Sequence, residues 1–260
     1  MDLGLEGRRV LITGSYRGTG AGIAAVMATE GAEVVVHGFE AGQPDEVVAA
    51  ITANGGSATG VVADIANDGG IDVLSSVAGD VDVLVNNYGA PQGSDWHSMD
   101  KWDDAWEHNV MIGARVAQAC MPAMRERGWG RIVFLGTVGT ERPSARNPAY
   151  YSAKTALPVV VRTLAMDLRG TGVTANLVSP GMIATTEVQA MIARWAARDG
   201  VEGDWPVVER WALDNSFPNL TERIPEPVDI GRIVAFVASE AAWHLNGANI
   251  AVDGGAIDAG

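Results

Sequence analysis

Cysteine is nearly missing from this 260-residue chain: Cys120 stands alone, so no intrachain disulfide can form and thiolate metal clusters are excluded. A single thiol fits a reducing cytoplasm. Histidine is sparse too. The four present (His37, His97, His108 and His244) show no HExxH-like spacing, and no metal site is expected. Basic residues are outnumbered, 18 Lys and Arg against 32 Asp and Glu, for a formal charge of −14. That balance argues against a nucleic-acid partner, which needs an extended basic face, while leaving room for a local nucleotide site. No apolar stretch approaches the ~20 residues needed to span a bilayer. The opening MDLGLEGRRV has no apolar signal-like region and runs straight into a strand-like segment. The expectation is a soluble, cytoplasmic protein without a membrane partner.

What the sequence does contain is strand–helix alternation. RRVLIT (8–13), AEVVVHG (32–38), ATGVVA (58–63), VDVLVNN (81–87), GRIVFLG (130–136), VTANLVS (173–179) and NIAVDG (249–254) are β-branched and almost continuously apolar. Such runs are expected of parallel strands covered on both faces. AGIAAVMATE, PDEVVAAITAN and GIDVLSSVAG carry helical periodicity between them, and longer helices are expected from about Asp100 to Arg127 and from about Pro148 to Arg169. The pattern predicts an α/β fold, a doubly wound, seven-stranded parallel Rossmann-type sheet with helices on both faces, as one domain over 1–260. Residues 184–227 break the rhythm, being rich in Trp, Arg and acidic residues. They follow the sixth strand, on the carboxyl edge where such sheets bind ligands, and read as a helical substrate-side insertion with two helices. A solvent-facing decoration or a subunit contact is the alternative.

The first strand ends in TGSYRGTGAGIA (13–24), with Gly14, Gly18 and Gly20 where the chain must turn sharply into a helix. Glycine admits positive φ and close approach of a pyrophosphate. The helix beginning near Gly18 would aim free N–H groups and its positive dipole end at that phosphate. The spacing is GxxxGxG, not GxGxxG.

AYYSAKTAL (149–157) sets Tyr150 and Lys154 at i and i+4 on a predicted helix. Four residues turn a helix by ~400°, so the two side chains share nearly one face. A phenol with a pKa near ~10 is a poor acid–base at neutral pH, and a nearby ammonium is expected to lower it. Tyr151 lies three residues from Lys154 and points more to one side. Pro158, one turn beyond Lys154, cannot donate to its carbonyl and is expected to kink or open the helix.

Taken in order, these segments resemble the short-chain dehydrogenase/reductase family, in its single-domain branch that includes 3-oxoacyl-carrier-protein reductases and related alcohol dehydrogenases. The turn matches the family's TGxxxGxG, NNYG (86–89) its NNAG, SPGMIAT (179–185) its PG-x-I-x-T, and NGANIAVDGG its final strand. The resemblance implies a cofactor site built from Gly14, Ser15, Arg17, Gly18, Thr19 and Gly20, with Asp64 on the adenine. It adds Asn87 and Gly89, then Pro180, Gly181, Ile183 and Thr185 around the nicotinamide carboxamide, with Tyr150 and Lys154. Two departures stand out. Tyr88 replaces a small residue, and Thr137, thirteen residues before Tyr150, replaces a serine whose hydroxyl bonds the substrate carbonyl. The threonine keeps the hydroxyl and adds a methyl that restricts χ1, so activity with altered substrate tolerance is expected. Asn109 matches the family's asparagine that holds a water linking the lysine to solvent.

The implied activity is hydride exchange between a nicotinamide cofactor and a small-molecule carbonyl or secondary alcohol, with Asn109, Thr137, Tyr150 and Lys154 as the catalytic set. The second strand ends VVVHGFE, without an acid at His37 or Gly38 to bond ribose hydroxyls, and Arg17 can meet a 2′-phosphate. Phe39 and Glu40 pull the other way. NADP(H) is favoured over NAD(H). The resemblance also implies a homo-oligomer, a tetramer or dimer. A dinucleotide-binding regulatory or scaffold protein without turnover remains the alternative, and an epimerase or dehydratase of the extended branch fits the glycine spacing less well. The substrate, whether acyl thioester, polyol, steroid or terpenoid ketone, is not legible.

Overall fold

Strands that are apolar on both sides need cover on both sides, and they have it. In the computed structural model, which describes residues 2–91, 93–97 and 99–257, the chain runs through β1 (Arg9–Ile12), α1 (Gly18–Thr29), β2 (Glu33–Gly38), α2 (Asp45–Ala53), β3 (Ser57–Val62), α3 (Gly70–Ala78) and β4 (Val83–Asn86). It continues through α4 (Met99–Trp106), α5 (Ile112–Arg127), β5 (Gly130–Leu135), α6 (Pro148–Asp167), β6 (Val173–Pro180), α7 (Thr186–Arg198), α8 (Trp205–Asn215), α9 (Pro227–Val237) and β7 (Asn249–Val252). The seven strands form one parallel sheet in the order β3-β2-β1-β4-β5-β6-β7. This is the α/β doubly wound architecture that the alternation predicts.

Alternate residues of each strand feed two cores. Leu11, Val35, Leu84, Ile132 and Phe134 face α3, α5 and α6, where Leu74, Ile112, Val116, Met124, Leu157 and Val161 meet them. Val10, Ile12, Val34, Val36, Val85 and Val133 face the other layer and pack on Ile23 and Met27 of α1, Ile51 of α2 and Ile230 and Val234 of α9. The order of the strands reverses between β1 and β4. At that reversal the connections leave in opposite directions and open a crevice at the strands' carboxyl ends.

The helix expected over 100–127 is not one regular α-helix. Between α4 and α5 the chain makes a π-turn at Glu107–Met111, which includes Asn109. The Asn109 amide donates to the Ala105 carbonyl four residues back (2.9 Å) and to Ala90 (3.2 Å). A side chain competing for that carbonyl, with one extra residue per turn, accommodates the widened ring. In α6 the helix continues unbroken through Pro158.

Within 184–227, α7 and α8 share a small core of Ala184, Ile192, Ala196, Val208, Ala212, Leu213 and Ile224. Trp195 stacks on Phe217 at 6.2 Å, and Trp205 and Trp211 are half-buried against the same cluster. Most of the aromatic richness of this segment is spent on packing its own helices together.

The layer of α1 and α9 depends on glycine. A Cβ at Gly22 would stand 2.5 Å from the Pro227 carbonyl carbon, and one at Gly231 would stand 2.9 Å from the Gly22 carbonyl oxygen. Gly22→Ala gains up to ~1 kcal/mol of helix propensity but forces two backbones apart. Denaturant unfolding of Gly22→Ala should therefore show a net loss of about 1–3 kcal/mol, the usual scale of overpacking; equal or greater stability than wild type would refute the close-packed crossing.

Candidate active site

The glycine turn is held from below. Gly14 and Gly18 adopt positive φ, +63° and +55°, where a side chain would be strained. Gly20 is needed for a different reason: a Cβ there would lie 2.6 Å from Asn87 Nδ2 and 2.7 Å from Ser15 Cα. Ser15 is buried; its hydroxyl donates to the Ile12 carbonyl (2.7 Å) and accepts from the His37 amide (2.9 Å). Asn87 donates to the Thr13 carbonyl at 2.9 Å. These residues shape the turn.

His37 belongs with them, and sequence reasoning missed it. The Gly14 N–H donates to His37 Nδ1 (2.9 Å), so Nε2 carries the proton and donates to the Ala63 carbonyl (2.8 Å). Burial lowers the imidazole pKa, against smaller opposing effects of that carbonyl and of Asp64. A neutral ring thus bolts the first glycine of the turn to the ends of β2 and β3. A histidine inside an apolar strand was the available signal.

Above the turn lies a cleft of about 660 Å³, lined by Gly14, Arg17, Gly18, Thr19 and Gly20 on one wall and Asn87, Tyr88, Gly89 and Thr185 opposite. Helix α1 begins there with no side-chain cap, which leaves its first N–H groups without a side-chain partner at the cleft. An uncapped helix N-terminus over a glycine-lined cleft fits a pyrophosphate. Arg17 is exposed and ion-paired with Glu187 at 3.3 Å, at the start of α7, and Phe39, Glu40 and Gln43 close the end nearest β2. Thr185 caps α7 through the Val188 amide (3.3 Å). Pro180, Gly181 and Ile183 lead up to it without lining the cleft; Gly181 is tied to Val252 (3.0 Å) and Ile183 packs on the α1 and α9 layer. Asp64 is exposed beyond the cleft, accepting from Asn67 (2.6 Å) and the Ala66 amide (3.2 Å).

Tyr150 and Lys154 stand on α6. Lys154 is only 6% exposed and its ammonium donates to the Leu135 carbonyl at the end of β5 (2.9 Å). Glycine at position 89 leaves the ammonium room: a Cβ there would lie 2.9 Å from Lys154 Nζ and 2.8 Å from Asn109 Oδ1. Lys154 and Asn109 therefore face one small space, and Asn109 Oδ1 is buried without a partner. Thr137, two residues past β5, accepts from the Gly139 amide (3.1 Å). Tyr151 lies edge-on to Tyr150, with ring centroids 5.3 Å apart, and a Cβ on Gly139 would stand 2.8 Å from its Cε1.

The electrostatics differ from the simple expectation. Burial pushes the Tyr150 phenol up to about 12, helped by Tyr151, while burial alone brings Lys154 down to about 8. Desolvation dominates both shifts, and neither group is among the causes of the other's.

A crevice at the strand-order reversal, an uncapped helix over a glycine turn and a buried lysine one turn of α6 from a tyrosine suit a nucleotide-using oxidoreductase. The profile described as short chain dehydrogenase matches residues 8–197, and the chain belongs to that family. It is 30% identical to D-beta-hydroxybutyrate dehydrogenase of Cupriavidus necator, over 96% of this chain and 98% of that protein. Its structure resembles L-sorbose reductase of Gluconobacter frateurii complexed with NADPH and L-sorbose (TM-score 0.89, 30% identity, 99% of each chain). It also resembles a 3-oxoacyl (acyl-carrier-protein) reductase of Agrobacterium tumefaciens C58 with NADP bound (TM-score 0.84, 30% identity, 98% and 96% covered). Among the described residues no cluster of His, Cys, Asp or Glu could hold a metal, and no helix is long and apolar enough to cross a membrane.

The lysine has a measurable signature. Its pKa falls from 10.5 to about 8 on folding, so between those values the unfolded chain binds the extra proton and stability rises with pH. The burden of the buried ammonium is full below pH 8 and relieved by about 10.5. Lys154→Met should lose this rise, worth roughly 3 kcal/mol. Unfolding curves of the two proteins at pH 7 and pH 10 measure it; parallel pH dependence would show that Lys154 is not buried as described.

Proposed function

We propose that the chain is an NADP(H)-linked carbonyl reductase or secondary-alcohol dehydrogenase in which Tyr150 moves the proton. The observation that carries this reading is the burial of the Lys154 ammonium between the end of β5, Gly89 and Asn109, where packing alone has no use for a charge. The bound dinucleotide supplies or accepts the hydride. Gly14, Gly18, Thr19 and Gly20 would hold its phosphates, with Ser15 supporting the turn, and Asn87, Gly89 and Thr185 form the opposing wall. Pro180, Gly181 and Ile183 shape the approach to Thr185, and Asp64 marks the adenine side.

In the reductive direction Tyr150, held neutral by burial, gives its proton to the carbonyl oxygen, and Thr137 orients that oxygen through its hydroxyl. Lys154 and Asn109 return a proton to the phenolate left behind, with Asn109 linking the lysine to the proton supply. Arg17 is the reason to favour NADP(H) over NAD(H): it stands exposed beside the glycine turn, and the similar L-sorbose reductase and 3-oxoacyl reductase structures hold NADPH and NADP. Segment 184–227 is read as the substrate-side cover. Val159 and Met166, about two-thirds exposed on α6, suit a subunit contact in a dimer or tetramer.

Tyr150→Phe should keep its fold and bind NADPH, yet reduce ketones at least about 100-fold more slowly than wild type in an NADPH-consumption assay on a diverse ketone panel. Wild-type turnover by Tyr150→Phe would remove the tyrosine from the mechanism. Tight NADPH binding with no turnover by either protein would favour a regulatory binding protein instead.

A further inference from the structure

Tyr88 stands where a small residue would leave the cleft open, and four contacts fix it. Its backbone N–H donates to Thr13 Oγ1 (3.0 Å). Its Cβ and Cδ2 lie 3.5 Å from where a Cβ on Gly14 would be, so the ring lies beside the glycine turn. The ring leans on Phe39, with centroids 4.7 Å apart and planes inclined by 50°. The hydroxyl lies 2.8 Å from His108 Nδ1. Phe39 in turn meets His37 at 4.9 Å and Tyr16 at 6.4 Å, so the β2 end of the cleft is an aromatic cluster.

In a doubly wound sheet with pyrophosphate on the first turn, the adenosine half lies toward the end of β2. Phe39 and Tyr88 both line the cleft there. A base between two aromatic rings needs about 7 Å, twice a van der Waals spacing of ~3.5 Å; the rings leave 4.7 Å. Asp64 lies outside the lining; burial, helped by the Asp64 carboxylate, raises the Tyr88 pKa, so the ring stands in the cleft as a neutral phenol.

We propose that Tyr88 is a gate on the adenine half of the dinucleotide site, latched shut by His108 and Phe39 and displaced when the base enters. The proposal rests on the nucleotide reading above. It makes the open state a minor population, so the apparent affinity is the intrinsic affinity reduced by the open fraction. His108 sits in the π-turn next to Asn109, so the latch ties the adenine end to the turn that carries the proton relay.

Calorimetric titration with NADPH and with 2′,5′-ADP, which carries only the adenine half, tests it on wild type, Tyr88→Ala, Tyr88→Phe and His108→Ala. Opening breaks one hydrogen bond and one aromatic contact, so Tyr88→Ala should bind both ligands about tenfold more tightly. Tyr88→Phe and His108→Ala, which keep the ring and release the latch, should gain about threefold. A damaged fold would lose affinity, so a gain cannot come from a structural role alone. Weaker or unchanged 2′,5′-ADP binding by Tyr88→Ala, with wild type binding normally, would make the ring a stacking platform or a bystander and overturn the gate. Should Tyr88→Ala fail to fold, unchanged binding by both latch variants overturns it equally. Wild type binding neither ligand would defeat the NADP(H) reading on which the gate rests.

Discussion

All seven strands run in one direction, and the site follows from that constraint. Parallel strands need crossovers, the crossovers bury both faces, and every strand delivers its carboxyl end to the same edge. Where the order reverses between β1 and β4, the ends of those two strands lie side by side with no crossover between them. The glycine turn after β1 and the Asn87–Gly89 segment after β4 therefore form opposite walls of one cleft. The end of β5 comes next, and it presents the Leu135 carbonyl that receives the lysine. Thr13 and Asn87, 74 positions apart in sequence, become neighbours because the sheet leaves them no other place.

Within that frame the chemistry is set by desolvation more than by charge pairing. Lys154 is enclosed by α6, β5 and Gly89, and its ammonium keeps one carbonyl partner. Burial moves it toward the neutral form and moves the tyrosine toward the protonated form. These shifts share a direction: each lowers the charge inside the site. A phenol held protonated is a proton donor in waiting, and an ammonium with a single partner has bonding capacity left over. The unpartnered Asn109 Oδ1 on the same space adds an acceptor to a site already provided with a donor. Unsatisfied buried groups are costly in a structural core, and their concentration beside a cleft marks a site shaped for something other than stability.

Much of this was legible in the sequence, for reasons that differ by residue. The strands were visible because Val and Ile runs covered on both faces have no polar interruptions. Gly14 and Gly18 were visible because a sharp strand–helix turn with positive φ leaves few alternatives. Tyr150 and Lys154 were visible as a spacing, but their titration was not, because burial is decided by α6 lying against β5. The π-turn at Asn109 was hidden: one extra residue in a helix leaves no clear mark on its periodicity. His37 was hidden for a related reason. Its partners, Gly14 and Ala63, come from the ends of two other strands, and only the parallel register brings them to the ring. Asp64 falls at the expected point in the chain, yet its carboxylate is engaged with Ala66 and Asn67 of its own loop.

The remaining tension is electrostatic. A chain of formal charge −14 has to receive a dinucleotide that is itself a polyanion, and the cleft offers little cationic help. Among the described residues lining it, Arg17 is the sole cation, and it faces Glu187 across the mouth with Glu40 nearby. The pair is largely exposed, so its strength is modest and a phosphate could compete for the guanidinium. On the proposed reading the main attraction comes from fixed dipoles: the uncapped N–H groups at the start of α1, beside a crevice lined by glycines. Such dipoles act over the first turn of the helix and depend on geometry, not on net charge. That is why the turn is braced so heavily. Ser15, His37 and Asn87 give their hydrogen bonds to its backbone, and on that reading a displacement of the loop would weaken the attraction the cleft has for its ligand.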